Sequence, residues 1–187
     1  MSEHDGVIQF LSVISRLKDT RRQGWVERGI RQPESVADHM YRMATMTFLC
    51  LDPTLDKTRM MKLALCHDMA EALVGDITPA MQVPKAEKEA RERAAMDHIV
   101  GLLPGLATAQ EIRGLWEEYE AQVTPEARFL KDLDLLEMVS QAHEYEKTEK
   151  EYLARGELDT FFTAVDKIRH PWARGVAERL RDTRETY

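Results

Sequence analysis

The sequence holds only two cysteines, Cys50 and Cys66, too few to frame a fold with disulfides and in keeping with thiols that stay reduced. No basic stretch leads into an apolar core near Met1-Ser2-Glu3, and no later segment stays apolar for the about eighteen residues that a bilayer crossing needs. Neither a leader nor a membrane span is expected, which points to the cytoplasm, with the nucleus compatible. Excess positive charge is missing as well: 33 Asp and Glu stand against 26 Lys and Arg, a formal charge of −7. Such a surface repels a polyanion instead of releasing its counterions, so no nucleic-acid partner is expected, whereas a small charged substrate is compatible. Alternating strand patterns, internal repeats, low-complexity tracts and linkers are also absent. What remains is one domain over residues 1–187, long enough to bury a single core.

Helical periodicity is what the chain has in quantity. Val7, Phe10, Leu11, Ile14 and Leu17 follow the i, i+3, i+4, i+7 spacing of an amphipathic helix reaching about Lys18. Thr20 to Ile30 is basic, holds two glycines and keeps no period, and reads as a loop. Ser35 with Asp38 resembles a capping box, with Asp where Glu or Gln is usual, and Met40, Met43, Ala44 and Phe48 carry the apolar pattern onward. Asp52-Pro53 ends that helix and Asp56 can cap a third, which the pattern carries through Met60, Leu63, Ala64 and His67-Asp68 to Glu71, until Gly75 to Pro79 breaks it. Pro84 to about Leu103 reads as a long charged helix, and Thr124-Pro125 starts another through Phe129, Leu130, Leu133, Leu136 and Met138. Weaker patterns cover Thr108 to Tyr119 and the segments either side of His170-Pro171. The expected fold class is all-α.

Chemistry concentrates in His39, in His67-Asp68 one helix later, in the carboxylates Asp132 and Asp134, and in Glu71 and Asp76. Imidazole and carboxylate together suit borderline and hard divalent ions, and a bundle can project such side chains from facing helices to one buried point. Glu71, at i+4 from His67, lies one turn along on the same face. Asp76, past the glycine, could fold back over the same point.

The segments Pro33-Glu34-Ser35-Val36-Ala37-Asp38-His39-Met40-Tyr41-Arg42-Met43-Ala44, Leu65-Cys66-His67-Asp68-Met69-Ala70-Glu71 and Val74-Gly75-Asp76-Ile77-Thr78-Pro79 resemble the HD-domain phosphohydrolases, specifically their 5′-deoxynucleotidase branch. Trp116-Glu117-Glu118-Tyr119-Glu120 and Lys131-Asp132-Leu133-Asp134 fit as well. The resemblance implies a single HD-domain helical bundle with the metal site between facing helices. It implies removal of the 5′-phosphate from deoxyribonucleoside 5′-monophosphates, and a homodimer. Carried onto matching positions, His39, His67, Asp68 and Asp134 hold a first ion. Glu71 and Asp76 are the catalytic carboxylates and a place for a second ion, with the Ile77 carbonyl helping. Mn²⁺, Co²⁺ or Mg²⁺ are the implied cofactors, with Zn²⁺, Fe²⁺ and Ni²⁺ admissible. Bacterial relatives carry an Arg-Trp pair after the first helix. Trp25 stands there, and Arg21, Arg22 and Arg28 compete for the arginine, with Arg22 taken beside Trp25 and Lys85 as a substrate contact.

Each of these residues also has an ordinary reading. His4, His98, His143 and His170 lack a selecting carboxylate arrangement and are left out of the site. Asp134 between leucines is costly to bury unpaired, so an ion competes with a salt bridge to Lys131. Glu71 and Asp76 could be a solvated helix end and a turn, and Trp25 could cover the core as easily as a sugar. Lys85 to Arg93 reads as a solvated face with pairs such as Glu87 and Arg91, and Cys66 as a small core residue. Two rival functions stay open. One is hydrolysis of cyclic nucleotides, alarmones or triphosphates on the same fold, although the His-His-Glu run and Gly-Tyr-Pro element expected of the cyclic-dinucleotide branch do not occur. The other is a metal-stapled helical scaffold, which would need neither Glu71 nor Asp76.

Overall fold

The computed structural model describes residues 3–103 and 107–184. Its helices are α1 (Glu3–Ser15), α2 (Gln23–Glu27), α3 (Val36–Met46), α4 (Lys57–Cys66), α5 (Glu71–Val74), α6 (Lys85–Gly101), α7 (Ala107–Ala121), α8 (Pro125–Thr148), α9 (Asp159–Phe162) and α10 (Pro171–Asp182). The described residues contain no strand; an isolated antiparallel bridge joins Arg21 to Ser35. The all-α expectation holds.

Local chemistry explains most helix starts. Ser35 Oγ accepts from the Asp38 amide at 3.1 Å while Asp38 accepts from the Ser35 amide at 2.9 Å, a complete capping box that starts α3. Asp56 accepts from the Arg59 amide and Thr124 from the Ala127 amide, opening α4 and α8. The Thr20–Ile30 loop contains α2, a correction to the sequence reading: one and a half turns that packing of Trp25 can sustain although periodicity cannot reveal them.

α8 is the central helix, packed against α3, α4, α7 and α10. Neighbours on several sides explain why Leu130, Leu133, Leu136 and Val139 are all buried along it. The same position obliges its buried polar groups to find partners. Asp132, which sequence reasoning left without a role, accepts from the His170 amide at 2.8 Å and from Arg169, and so pins the start of α10.

The third helix also departs from expectation. α4 ends at Cys66, and the chain passes through a turn over His67–Ala70 before α5. His67 Nδ1 lies 2.8 Å from the Ala64 carbonyl, the oxygen that the Asp68 amide would use in a continued helix, and the following amides bond three residues back. The adjacent His67 and Asp68 side chains meet in this turn, with His67 Nε2 3.1 Å from Asp68 Oδ2. Gly75, with φ +76°, closes α5 in a conformation that only glycine adopts cheaply and turns Asp76 back toward the bundle.

Candidate metal centre and active-site cleft

His39, fully buried on α3, and His67, in the turn after α4, converge with Asp134 of α8 so that one ligand atom from each lies within 4.8 Å of the others. His39 Nε2 is 3.5 Å from Asp134 Oδ1 and 3.6 Å from Asp68 Oδ2, and His67 Nε2 is 3.1 Å from the same Asp68 oxygen. Both Nε2 atoms are buried without a hydrogen-bond partner, while both Nδ1 atoms are engaged, on Glu137 and on the Ala64 carbonyl. Two imidazoles with their inner nitrogens unpartnered and aimed at two carboxylates are what a divalent cation requires, so the donor set fits one.

Asp134 divides its oxygens. Oδ1 faces His39, whereas Oδ2 accepts from Lys131 at 2.7 Å and from Tyr119 at 3.1 Å. The salt bridge that competed with an ion in the sequence reading is therefore present and leaves the other oxygen available. Burial works against the charges of Asp68 and Asp134, but His67, His39 and Arg22 around the first, and Lys131, His39 and Arg22 around the second, hold both well below the usual carboxylate range. Burial also opposes protonation of His67, yet Asp68 prevails and raises it; the same anionic field that attracts a proton attracts a metal cation.

Arg22, at the threshold of α2, is the candidate arginine that the fold brings beside the converging carboxylates. Its guanidinium lies 3.7 Å from Asp68, 3.8 Å from Asp76 and 3.9 Å from Asp134. Burial penalises its charge, and those three carboxylates outweigh the penalty and raise its pKa. Asp76 accepts from the Gln23 amide at 2.8 Å, and Thr78 donates to Glu27, so the Asp76 loop and α2 are clamped together. Glu71 is buried with Oε2 unpartnered; burial, then Asp68 and Asp76, push its carboxyl well above the ordinary range.

These groups line a cleft of about 440 Å³ whose far wall is α6 and α7. A larger cavity, about 520 Å³, lies at residues 146–159 beside the end of α10, lined by mutually paired charges such as Arg184 with Glu146 and without a histidine. The polar cleft with the converging imidazoles is the candidate site.

Three expectations change. Trp25 is buried to 2 % exposure against Tyr145 and Phe161 and does not line the cleft. Lys85 borders the cleft but points to solvent, 90 % exposed beside Glu89, while Lys88, one turn on, reaches the Ile77 carbonyl at 3.3 Å and Glu92 at 3.5 Å. That ammonium also occupies the Ile77 carbonyl expected to assist a second ion. Sequence reasoning missed Lys88, although its place on the inner face of α6, four residues before buried Glu92, was a usable signal. It missed Glu137 too, whose i+3 spacing from Asp134 puts both on one face of α8.

An all-α bundle that gathers two imidazoles and two carboxylates at one buried point, beside a polar cleft lined by both acids and bases, defines the structural class. The chain belongs to the HD domain family, whose model matches residues 14–174. It is 50 % identical over 181 residues to the 5′-deoxynucleotidase HDDC2 of Danio rerio, covering 96 % of this chain and 88 % of that one. It is 45 % identical over 184 residues to the 5′-deoxynucleotidase hdd1 of Schizosaccharomyces pombe, covering 97 % and 91 %. A solved structure described as a predicted metal-dependent phosphohydrolase from Magnetospirillum magnetotacticum superposes with a TM-score of 0.72 at 30 % identity, covering 97 % of this chain and 92 % of that one. A conserved hypothetical protein from Pyrococcus furiosus gives 0.74 at 30 %, covering 94 % and 99 %.

Proposed function

We propose that the chain is a divalent-metal-dependent 5′-deoxynucleotidase that converts deoxyribonucleoside 5′-monophosphates (dAMP, dGMP, dCMP, dTMP) to deoxynucleoside and phosphate. The observation that carries the reading is the pair of buried, unpartnered Nε2 atoms of His39 and His67 facing Asp68 and Asp134, beside a polar cleft that also holds Arg22, Lys88 and Lys131. The names of the curated relatives supply the substrate class.

His39, His67, Asp68 and Asp134 would hold the ion, with Mn²⁺, Co²⁺ or Mg²⁺ preferred over Zn²⁺, Fe²⁺ or Ni²⁺. An ion bound there supplies charge neutralisation at the phosphoryl oxygens and acidifies water. The chain's own groups do the rest. Arg22, anchored by three carboxylates, meets the phosphate as a fixed fork, and Lys88 and Lys131 add positive charge along the cleft. Glu71, whose carboxyl burial and the neighbouring Asp68 and Asp76 push upward, would give a proton to the departing 5′-oxygen as the P–O bond breaks. Asp76 orients the attacking water and accepts its proton as the new P–O bond forms. Atoms balance: water and monoester give alcohol and inorganic phosphate, with Glu71 and Asp76 exchanging the proton through solvent.

A homodimer belongs to the same reading. Tyr41, Phe48 and Leu51, in and just after α3, are more than half exposed and apolar enough to seat a second copy. The deciding experiment is release of phosphate from a panel of deoxyribo- and ribonucleoside monophosphates by metal-stripped protein reloaded with each ion, with molar mass measured in parallel. Absence of hydrolysis with every ion would refute the enzymatic reading.

A further inference from the structure

Glu137 is fully buried on α8, one turn after Asp134, and the proposed reaction gives it no task. Its two oxygens are divided between two partners. Oε2 lies 2.7 Å from His39 Nδ1, while Oε1 accepts from Arg42 Nε at 2.8 Å and also pairs with the Arg42 Nη2. A neutral imidazole carries one ring proton. With a carboxylate against Nδ1 the proton belongs there, and the lone pair is left on Nε2, the atom that faces Asp68 and Asp134. His67 uses a neutral form of the same device, with Nδ1 on the Ala64 carbonyl. The two imidazoles therefore differ: an anion stands behind one and a peptide dipole behind the other.

We propose that Glu137 is a positioning residue for His39. Its carboxylate, anchored by Arg42, fixes the tautomer and orientation of the imidazole, and its negative charge makes Nε2 a stronger donor to a divalent cation. The assignment rests on His39, His67, Asp68 and Asp134 forming a metal centre. Arg42 gives the test its discrimination. Its guanidinium steadies Glu137 and also reaches Glu144 at 3.1 Å, but its positive charge opposes a cation at the centre. Loss of Glu137 charge and loss of Arg42 charge thus disturb the same packing and push metal affinity in opposite directions.

The experiment is a competition titration of Co²⁺ into the full chain after metal stripping, for wild type, Glu137→Gln and Arg42→Gln, with the visible Co²⁺ spectrum and the melting temperature recorded for each. Glu137→Gln keeps an oxygen for the Nδ1 proton, removes the charge, and replaces the oxygen that accepts from Arg42 with an NH₂ group. It is expected to weaken Co²⁺ binding by roughly tenfold to a hundredfold and to shift the visible bands. Arg42→Gln is expected to lower the melting temperature while binding Co²⁺ no more weakly than wild type. Unchanged affinity in Glu137→Gln, or an equal loss of affinity in both variants, overturns the assignment alone. A wild-type protein that takes up no Co²⁺ overturns the metal centre and this assignment together.

Discussion

Trp25 Nε1 donates to Glu34 Oε1 at 2.9 Å, and through that bond the loop carrying Arg22 is tied to the segment that leads into α3. The tie is doubled by the Arg22 amide on the Glu34 carbonyl at 3.0 Å and by the Tyr145 hydroxyl at the Glu34 amide. Trp25 thus acts from inside the core. Trp25→Ala is expected to cost about 3–5 kcal/mol of stability and to depress turnover of dAMP and AMP together, because the loop that aims Arg22 loosens. A sugar contact would instead change the ratio of the two substrates. Denaturant melts beside kcat/KM on both nucleotides separate the cases.

Glu34 also gives a pH signature. Burial, then the neighbouring Glu137 charge, push its carboxyl up to about 7 from an ordinary 4.5. A raised acid means that the folded state binds the proton more tightly than the unfolded one. Its stabilising contribution is complete below about 4.5 and is lost as pH rises through about 7. In Glu34→Gln that loss is removed while an oxygen remains for Trp25. The variant should gain on wild type between about pH 4.5 and 7 by at most about 1.4 kcal/mol per pH unit, with no further gain above. Parallel stability curves for the two metal-free proteins would contradict the shift.

How much was legible in the sequence divides along the range of the interaction. Ser35, Asp56 and Thr124 were readable as caps because a cap is settled within three residues. His39, His67, Asp68 and Asp134 stood out because two imidazoles and two carboxylates recur in one motif, and the fold brings all four together. The break after Cys66 was invisible, since it depends on His67 taking a carbonyl from its own helix. Trp25 was left open between core and cleft, and Glu137 was missed, for a shared reason: whether an aromatic or an acid faces a cleft or a core depends on elements far along the chain, Tyr145 and Phe161 for one and His39 and Arg42 for the other.

Lys85 and Lys88 are three residues apart on α6 and make opposite predictions. Lys88→Ala should raise KM and lower kcat/KM about tenfold by removing a partly buried cation from the cleft, whereas Lys85→Ala, whose ammonium lies in solvent, should leave both unchanged. Steady-state kinetics on dAMP with each variant provide the check, and a larger loss in Lys85→Ala would reverse the assignment of the phosphate-side cation.

Glu71→Gln keeps the size and polarity of the buried side chain but holds no acidic proton. The expected loss in kcat is about 10²–10⁴-fold, with the first ion retained, because His39, His67, Asp68 and Asp134 are untouched. Metal content by emission spectrometry beside kcat tests this. Loss of the ion together with activity would move Glu71 from proton donor to ligand.

Metal removal should be felt by the fold as well as by the reaction, and the surrounding charges set how strongly. Without an ion, Asp68 and Asp134 still have Arg22, Lys131 and His67 as positive partners, so the stripped protein should remain folded. Adding an ion that binds only the folded state then stabilises by RT ln(1 + [L]/Kd), about 2.7 kcal/mol at a hundredfold excess over Kd. The melting temperature should therefore climb with Mn²⁺ or Co²⁺ concentration and stop climbing in EDTA, in step with activity. In His67→Ala the dependence should vanish, because the buried cation loses one of its two imidazoles while Asp68 loses the His67 contact that lowers it. A melting temperature indifferent to metal in wild type, with activity intact after verified stripping, would remove the ion from both stability and catalysis.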